Sequence, residues 1–154
     1  MKRNSPLTAI FLISFLASAA VAVAQTNFSG TWKLDHAKSE ASSVNTPKKM
    51  SMKIEQSGAQ MSVWYWVTDN LGDHDWGSNY TLDGKANHNS WDGIEVKSSQ
   101  EWDGESLVFN VERGTNTQYK EMWLLSADGK TLTVTRHTIF ARSDLTETFV
   151  YNKQ

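Results

Sequence analysis

Cysteine is absent from all 154 residues of the chain. The protein can therefore form no disulfide, has no cysteine nucleophile, and cannot carry a lipid on a cysteine behind an N-terminal leader. Its stability has to come from the burial of apolar side chains and from backbone pairing. A closed β-barrel provides both without covalent cross-links.

Positive charge is also scarce. Setting aside Lys2 and Arg3, which belong to a leader segment, leaves 13 of the 15 basic residues against 17 acidic ones, a net charge near −4. Proteins that neutralise nucleic-acid phosphates need the opposite balance, and so do proteins that bind anionic membrane surfaces. Neither kind of partner is expected here.

The first 24 residues have the three parts of a secretory signal peptide. Lys2 and Arg3 are basic, residues 7–23 are apolar, and Ala22-Val23-Ala24 forms the small-x-small pattern that precedes cleavage. We expect cleavage before Gln25, which leaves residues 25–154 as a single secreted or periplasmic domain without a membrane span. The alternative is an uncleaved membrane anchor, for which the apolar run is barely long enough.

After the leader, helical periodicity is nearly absent and apolar residues recur with a period of two. In QMSVWYWVT, for example, Met61, Val63, Tyr65 and Val67 share one face of a strand. Because β-branched and aromatic residues favour strands, we predict nine of them, at about residues 28–34, 49–56, 60–68, 76–82, 93–102, 106–113, 117–126, 130–138 and 145–152.

Short turn signals separate most of these strands. A glycine follows serine or aspartate at Ser57-Gly58, Asp83-Gly84, Asp103-Gly104 and Asp128-Gly129, and such pairs supply the positive φ that tight hairpin turns require. Successive hairpins make an antiparallel up-and-down meander, which tends to close because closure removes exposed edges. We therefore predict an all-β meander barrel of about eight to ten strands.

One segment departs from the strand pattern. Residues 35–44, DHAKSEASSV, can form one short helix after the first strand. Asp35 is a suitable N-cap for it, and Pro47 stops it before the next strand. Such a helix would cap the barrel mouth.

Gly30-Thr31-Trp32, on the first predicted strand, resembles the G-x-W signature of lipocalins and their calycin relatives. The longer stretches FSGTWKLDHAKS and ADGKTLTVTRH resemble small secreted bacterial lipocalin-like proteins of unassigned role. The T-D-Y-type turn and the disulfide of lipocalins are missing. This difference favours a related lipocalin-like barrel over the eight-strand lipocalin topology.

The resemblance also implies roles for individual residues. Trp32 would plug the barrel floor, Gly30 would let its strand pass close to the floor, and a basic side chain from late in the chain would cover the indole. We expect Arg136 to be this residue, with Arg142 and Lys153 as alternatives.

Tryptophan is frequent, with seven in the chain. Trp64 and Trp66 share one face of the third predicted strand, while Tyr65 and Val67 occupy the other. One of these apolar faces is the lumen. The Trp face either packs under a loop, a helix or a partner subunit, or binds a ligand. The residues predicted to bind a ligand, in the lumen or on such a platform, are Trp64, Tyr65, Trp66, Trp76, Trp102, Phe109, Tyr119 and Trp123.

No motif indicates a metal site or catalysis. The four histidines are scattered without ligand spacing, and the acidic loop DNLGDHDWG lacks the terminal glutamate of a calcium loop. No G-x-S-x-G turn is present. Glu121 and Arg136 share the phase of inward positions, so we expect them to form a buried structural pair. We predict no catalytic residue, metal or cofactor; an isomerase or hydrolase built in the lumen is the weakest alternative.

Together these features predict a secreted lipocalin-like protein that holds a small apolar or amphipathic molecule in its lumen. The alternative is a binding module in which Trp64, Trp66 and Trp76 stack on sugar rings or on another surface. The same strip could instead contact a protein partner, including a second copy in a homodimer. An open lumen would favour the first function, and a filled lumen the others.

Overall fold

A computed structural model describes residues 25–42, 46–140 and 143–154. The predicted signal peptide lies outside these residues. The strands are β1 (Gly30–Leu34), β2 (Lys49–Ser57), β3 (Gln60–Thr68), β4 (Asp73–Thr81), β5 (Ala86–Trp91), β6 (Ile94–Asp103), β7 (Ser106–Arg113), β8 (Thr117–Leu125), β9 (Thr131–Phe140) and β10 (Ser143–Lys153). They form one sheet in the order β4-β3-β2-β1-β10-β9-β8-β7-β6-β5. Within the described ranges, no helix is long and apolar enough to cross a membrane.

The predicted all-β meander is confirmed, with one strand more than expected. The additional strand is β5, in which half-buried Asn87, Asn89 and Trp91 alternate with exposed residues. Its sequence, ANHNSW, has no β-branched residue, so the composition that marks the other strands is missing. β5 therefore could not be recognised from its pattern.

The predicted short helix after the first strand is not confirmed, since the described residues contain no helix. Asp35 does act as a cap, because its Oδ1 accepts the N–H groups of Ala37 and Lys38 at 3.1 and 3.3 Å. The turn ends there, because Glu40 exchanges two backbone hydrogen bonds with Thr148 of β10, at 2.8 and 2.7 Å. The last two residues of the predicted helix lie outside the described ranges.

The meander places alternate connections at opposite ends of the barrel. The four predicted hairpin turns, at Ser57-Gly58, Asp83-Gly84, Asp103-Gly104 and Asp128-Gly129, all lie at one end, and all four glycines have positive φ. We call this the closed end. The other connections, including the long one between β1 and β2, lie at the opposite end, which we call the mouth.

Aromatic side chains fill the half of the barrel next to the closed end. Phe109 stacks on Trp123 with ring centroids 4.6 Å apart, and Tyr80 meets Phe109 edge-on at 5.3 Å. Phe28 and Trp32 are fully buried, and the Trp32 indole N–H donates to the Phe28 carbonyl oxygen at 2.9 Å. We refer to the region around these five residues as the closed half.

A basic side chain covers Trp32, but it is Lys153 and not Arg136. Lys153 is paired with Trp32 in the β1–β10 register, and its Nζ lies 5.3 Å from the indole centroid. Gly30 makes room for this contact, since a Cβ there would lie 2.5 Å from Lys153 Cε. Arg136 is in the middle of β9, too far from the closed end to reach the plug. The prediction for Arg136 is therefore wrong, and Lys153, one of the two alternatives, takes its place.

Side-chain amides close the barrel where β4 and β5, the two edges of the sheet, face each other. The Asn79 N–H donates to Asn89 Oδ1 at 2.9 Å, and Asn89 Nδ2 donates back to the Asn79 carbonyl oxygen at 3.0 Å. The Thr81 N–H donates to Asn87 Oδ1 at 3.0 Å. The two β5 asparagines thus satisfy backbone groups of β4 that no neighbouring strand pairs.

Candidate functional site

The half of the lumen next to the mouth is a cavity of about 450 Å³. Its apolar and aromatic lining comes from six strands, and comprises Met50, Val67, Trp76, Trp91, Tyr119, Phe149 and Tyr151. The lumen is therefore neither wholly open nor wholly filled. It is packed in the closed half and hollow in what we call the mouth half.

A chain of aromatic rings forms one wall of the cavity. Tyr65 stacks on Trp76 with centroids 5.2 Å apart, Trp76 lies 6.1 Å from Trp91, and Trp91 lies 6.5 Å from Tyr119. The Trp91 N–H donates to Ser78 Oγ at 2.8 Å, across the gap between β4 and β5. This bond fixes the indole that joins the two edges of the sheet.

A partly buried ion pair lies at the floor of the cavity. Arg136 Nε donates to Glu121 Oε1 at 2.8 Å, and Arg136 Nη2 lies 2.7 Å from the same oxygen. The other carboxylate oxygen of Glu121 accepts the Trp123 indole N–H at 2.9 Å. The pairing expected between Glu121 and Arg136 is therefore confirmed, and Arg136 lines the mouth half instead of covering the plug.

The surroundings of Arg136 fix its charge and the protonation of nearby tyrosines. Its guanidinium carbon lies 4.8 Å from the ring centroid of Tyr119 and 5.0 Å from that of Phe149. Burial opposes the charged form of Arg136, but the Glu121 carboxylate outweighs it and raises the pKa of Arg136. Burial, assisted by the Glu121 charge, raises the pKa of Tyr119 well above its ordinary value. The floor thus presents neutral hydroxyls and a balanced pair of charges.

Acidic groups at the mouth also have partners. His74 Nε2 lies 3.2 Å from Asp69 Oδ1, and His74 Nδ1 lies 3.0 Å from Asp92 Oδ2. The Leu71 backbone N–H, and then His74, lower the pKa of Asp69. Glu147, which is almost fully buried, accepts the backbone N–H of Ser42 at 3.0 Å.

Two donors that line the cavity lack partners. Arg113 Nε and Trp76 Nε1 are buried and form no hydrogen bond with the described residues. Trp102 Nε1 shares this property, but its ring stacks on Phe28 at the closed end. A buried N–H without an acceptor costs about 1–3 kcal/mol, so a ligand acceptor that reached Arg113 or Trp76 would recover this free energy.

The cationic side chains of the cavity also divide into those with and those without a partner. Arg136 is neutralised by Glu121, whereas Arg113 and Lys48 form no ion pair with any residue that the structure describes. Both line the cavity near the mouth. Among the described residues, no group of three or more His, Asp or Glu side chains could hold a metal ion. The arrangement is suited to holding an acidic or polar group beside an aromatic wall.

No protein-family model and no curated protein matches the chain in sequence. Solved structures match its fold, each over 82% of this chain. A secretory abundant heat soluble protein from Ramazzottius varieornatus is 17% identical and matched over 94% of its own chain, with a TM-score of 0.62. Zebrafish ileal bile acid-binding protein complexed with cholic acid is 17% identical and matched over 98% of its chain (TM-score 0.62), and Echinococcus granulosus fatty-acid-binding protein 1 is 16% identical and matched over 96% (TM-score 0.59). The fold is a calycin-like β-barrel. Identities this low show the fold alone.

Within this calycin-like barrel, the residues predicted to bind a ligand fall into three groups. Trp76 and Tyr119 line the cavity, and Tyr65 stacks behind Trp76. Trp102, Phe109 and Trp123 pack in or against the core of the closed half, which corrects their expected place on the wall of an open lumen. Trp64 and Trp66 lie on the outer face of the barrel.

Most of the cavity lining is missing from the predicted set, and Trp91 and Arg113 are the two omissions that matter most for binding. Trp91 was missed because it belongs to β5, the strand without a recognisable pattern. Arg113 follows Leu107, Phe109 and Val111 at every second position of β7, so the alternation of that strand already placed it on the inner face. A charged residue in phase with a buried row is the signal that could have identified it.

Proposed function

We propose that the protein binds a small amphipathic molecule with an acidic head group in the mouth half of the barrel. The observation that carries this proposal is the cavity of about 450 Å³, in which an aromatic wall stands beside two buried donors, Arg113 Nε and Trp76 Nε1, that form no hydrogen bond with the described residues. The volume is within the range of about 300–1,000 Å³ found for small-molecule sites. The apolar part of the ligand would lie along Trp76, Trp91 and Tyr119.

The balance of charges favours an acidic head group. Arg136 has its counter-ion in Glu121, and His74 lies between two aspartates. Arg113 and Lys48 form no ion pair with the described residues. A carboxylate or sulfonate near the mouth would satisfy Arg113 Nε and pair with the cation at the same time.

Two further points support binding over catalysis. Both oxygens of Glu121 are engaged, by Arg136 and by Trp123, so this carboxylate is not available as a general base. Two solved structures with a similar fold are a bile acid-binding protein and a fatty-acid-binding protein. We further propose that the leader exports the protein, which would place the ligand outside the cytoplasm.

A fluorescent fatty acid tests the proposal. We expect dansylated undecanoic acid to bind saturably to the 25–154 chain and to be displaced by decanoate. Trp76→Ser should weaken binding by about tenfold or more, because it removes the centre of the aromatic wall. Trp64→Ser is the matched control, on the neighbouring strand but on the outer face, and should leave the Kd unchanged. No saturable binding, or equal effects of the two variants, would reject a site in the mouth half.

A further inference from the structure

Two large indoles remain in solvent on the outer face of β3. Trp64 is 42% exposed and Trp66 is 46% exposed, while Tyr65 between them is buried on the inner face. The rise of a strand, about 3.4 Å per residue, places the Cα atoms of the two residues about 7 Å apart. Burying an indole is strongly favourable. Two neighbouring indoles that are about half exposed therefore indicate a binding surface.

A glycine on the neighbouring strand lets one of these rings lie flat. Gly77 is the register partner of Trp64, and a Cβ at Gly77 would lie 3.2, 3.4 and 3.8 Å from Nε1, Cδ1 and Cε2 of that indole. Three ring atoms at similar distances from one point mean that the five-membered ring covers the glycine with its face. The opposite face of Trp64 is therefore turned to solvent, parallel to the sheet.

The surroundings of the two rings are polar. Trp64 is paired in register with Lys53, whose Nζ lies 2.7 Å from Glu55, and Trp66 is paired with exposed Asp75. The two indoles expose roughly 200 Å² of apolar surface at the exposures given. A stable protein interface buries about 800 Å² on each partner, somewhat more than half of it apolar, so the two indoles alone are too small an apolar patch to hold a second copy.

A sugar chain fits a surface of this size and chemistry. A pyranose ring whose hydroxyls are equatorial exposes axial C–H bonds on its faces, which pack on an indole face. Its hydroxyls point outward from the ring edge, where carboxylates, ammonium groups and hydroxyls can bond them. Flat aromatic rings set in a polar rim therefore match a glycan better than a lipid or a protein.

We propose that the outer face of β2, β3 and β4 binds a linear glycan of equatorial-hydroxyl sugars, such as glucose or N-acetylglucosamine. Neighbouring rings stack on Trp64 and Trp66, and Lys53, Glu55 and Asp75 bond the hydroxyls along the edges. This site is separate from the cavity, since residues of β3 alternate between the two faces of the sheet. The barrel then carries one ligand inside while it is held to a polysaccharide outside.

Affinity electrophoresis in native gels that contain hydroxyethyl cellulose or glycol chitin tests this site, with calorimetry on cellohexaose and chitohexaose. We expect at least one of the two glycans to retard the wild type. Trp64→Ser should lower the affinity about tenfold or more. Gly77→Val keeps both indoles but lifts Trp64 from the sheet, and should have the same effect. Leu124→Ser, at an equally exposed apolar position on β8, should leave retardation unchanged.

Folding and the inner cavity are monitored in the same variants. For Trp64→Ser, the thermal unfolding midpoint and the affinity for dansylated undecanoic acid should match those of the wild type. If Gly77→Val fails to fold, Trp64→Phe replaces it, and should lower the glycan affinity less than Trp64→Ser does. The proposal is overturned if neither glycan retards the wild type, or if Trp64→Ser binds glycan as tightly as Leu124→Ser. It is also overturned if the wild type is a dimer that Trp64→Ser dissociates, because a second copy then covers the strip.

Discussion

The two halves of the barrel are built by the same strands but have opposite chemistry. Along β7 from the closed end, the inward residues are Leu107, Phe109, Val111 and then Arg113; along β9 they are Leu132, Val134, Arg136 and Thr138. Each row begins apolar and ends polar. A single strand can therefore contribute to the packed core at one end and to a binding cavity at the other.

The satisfaction of buried donors follows the same division. In the closed half, the indole N–H groups of Trp32 and Trp123 donate to Phe28 and Glu121. In the mouth half, Trp76 Nε1 and Arg113 Nε have no acceptor among the described residues. Trp102 is the exception at the closed end, and Trp91 is the exception in the mouth half, because its N–H donates to Ser78 Oγ. Packing and paired donors stabilise the closed half, whereas the mouth half retains unpaired groups that a ligand can use.

Equivalent truncations in the two halves should have unequal costs. Trp32→Ala removes a fully buried, hydrogen-bonded indole and should lower the free energy of unfolding by about 3–5 kcal/mol. Trp76→Ala removes a half-buried indole whose N–H is unpaired, and should cost about 2 kcal/mol or less. Urea unfolding followed by circular dichroism measures both values. Equal losses would contradict the division into a structural and a functional half.

Replacement of Arg113, which forms no ion pair with the described residues, should weaken ligand binding without lowering the stability of the protein. Arg113→Met keeps a long side chain but eliminates the charge and the unsatisfied Nε. We expect the Kd for decanoate to rise about tenfold while the Kd for decanol changes little. The free energy of unfolding should stay the same or increase by about 1 kcal/mol, because a buried unsatisfied donor is lost. An equal loss of affinity for the acid and the alcohol would show that Arg113 does not contact the head group.

The pKa values of the tyrosines report whether bulk water reaches their hydroxyl groups inside the barrel. All four tyrosines of the chain are buried, and burial raises the pKa of Tyr80 to about 12 and those of Tyr65, Tyr119 and Tyr151 well above 10. Since the unfolded pKa of tyrosine is about 10, the contribution of the tyrosines to stability should be constant below about pH 10 and be lost as the pH rises toward 12.

Tyrosinate absorbance and circular dichroism, recorded on the same alkaline titration, check this expectation. The two signals should change together, because the phenols ionise when the barrel unfolds. Ionisation of about two tyrosines near pH 10 in a folded barrel would contradict it. It would show that Tyr119 and Tyr151, which line the cavity, are exposed to bulk water.

The sequence predicted the fold better than the site. Period-two alternation with four Gly turns identified nine of the ten strands, because those strands separate apolar from polar faces. β5 escaped recognition because its inward asparagines serve the β4 backbone instead of a core. The prediction that Arg136 covers Trp32 was wrong for a related reason. The partner of Trp32 depends on the β1–β10 register, which spacing along the chain does not encode.

The site was predicted only in part. Tyr65 and Tyr119 were correctly expected on the inner face, whereas Trp76, grouped with Trp64 and Trp66 on an outer platform, lines the cavity instead. Phase also does not reveal height along the barrel. It therefore could not separate Trp123, packed at the closed end, from Tyr119 at the cavity. Phase did predict the pairing of Arg136 with Glu121. It could not show that Arg113, also on an inner face, forms no ion pair with the described residues, because that depends on which side chains of other strands lie at the same height.

The seven tryptophans allow the central claim, a packed closed half below a ligand-binding mouth half, to be tested in one measurement. Each indole N–H gives one cross-peak in a nitrogen–proton correlation spectrum of labelled protein titrated with decanoate. We predict that the Trp76 and Trp91 cross-peaks shift and those of Trp32 and Trp123 do not. Shifts at Trp32 and Trp123, with Trp76 unchanged, would contradict the account.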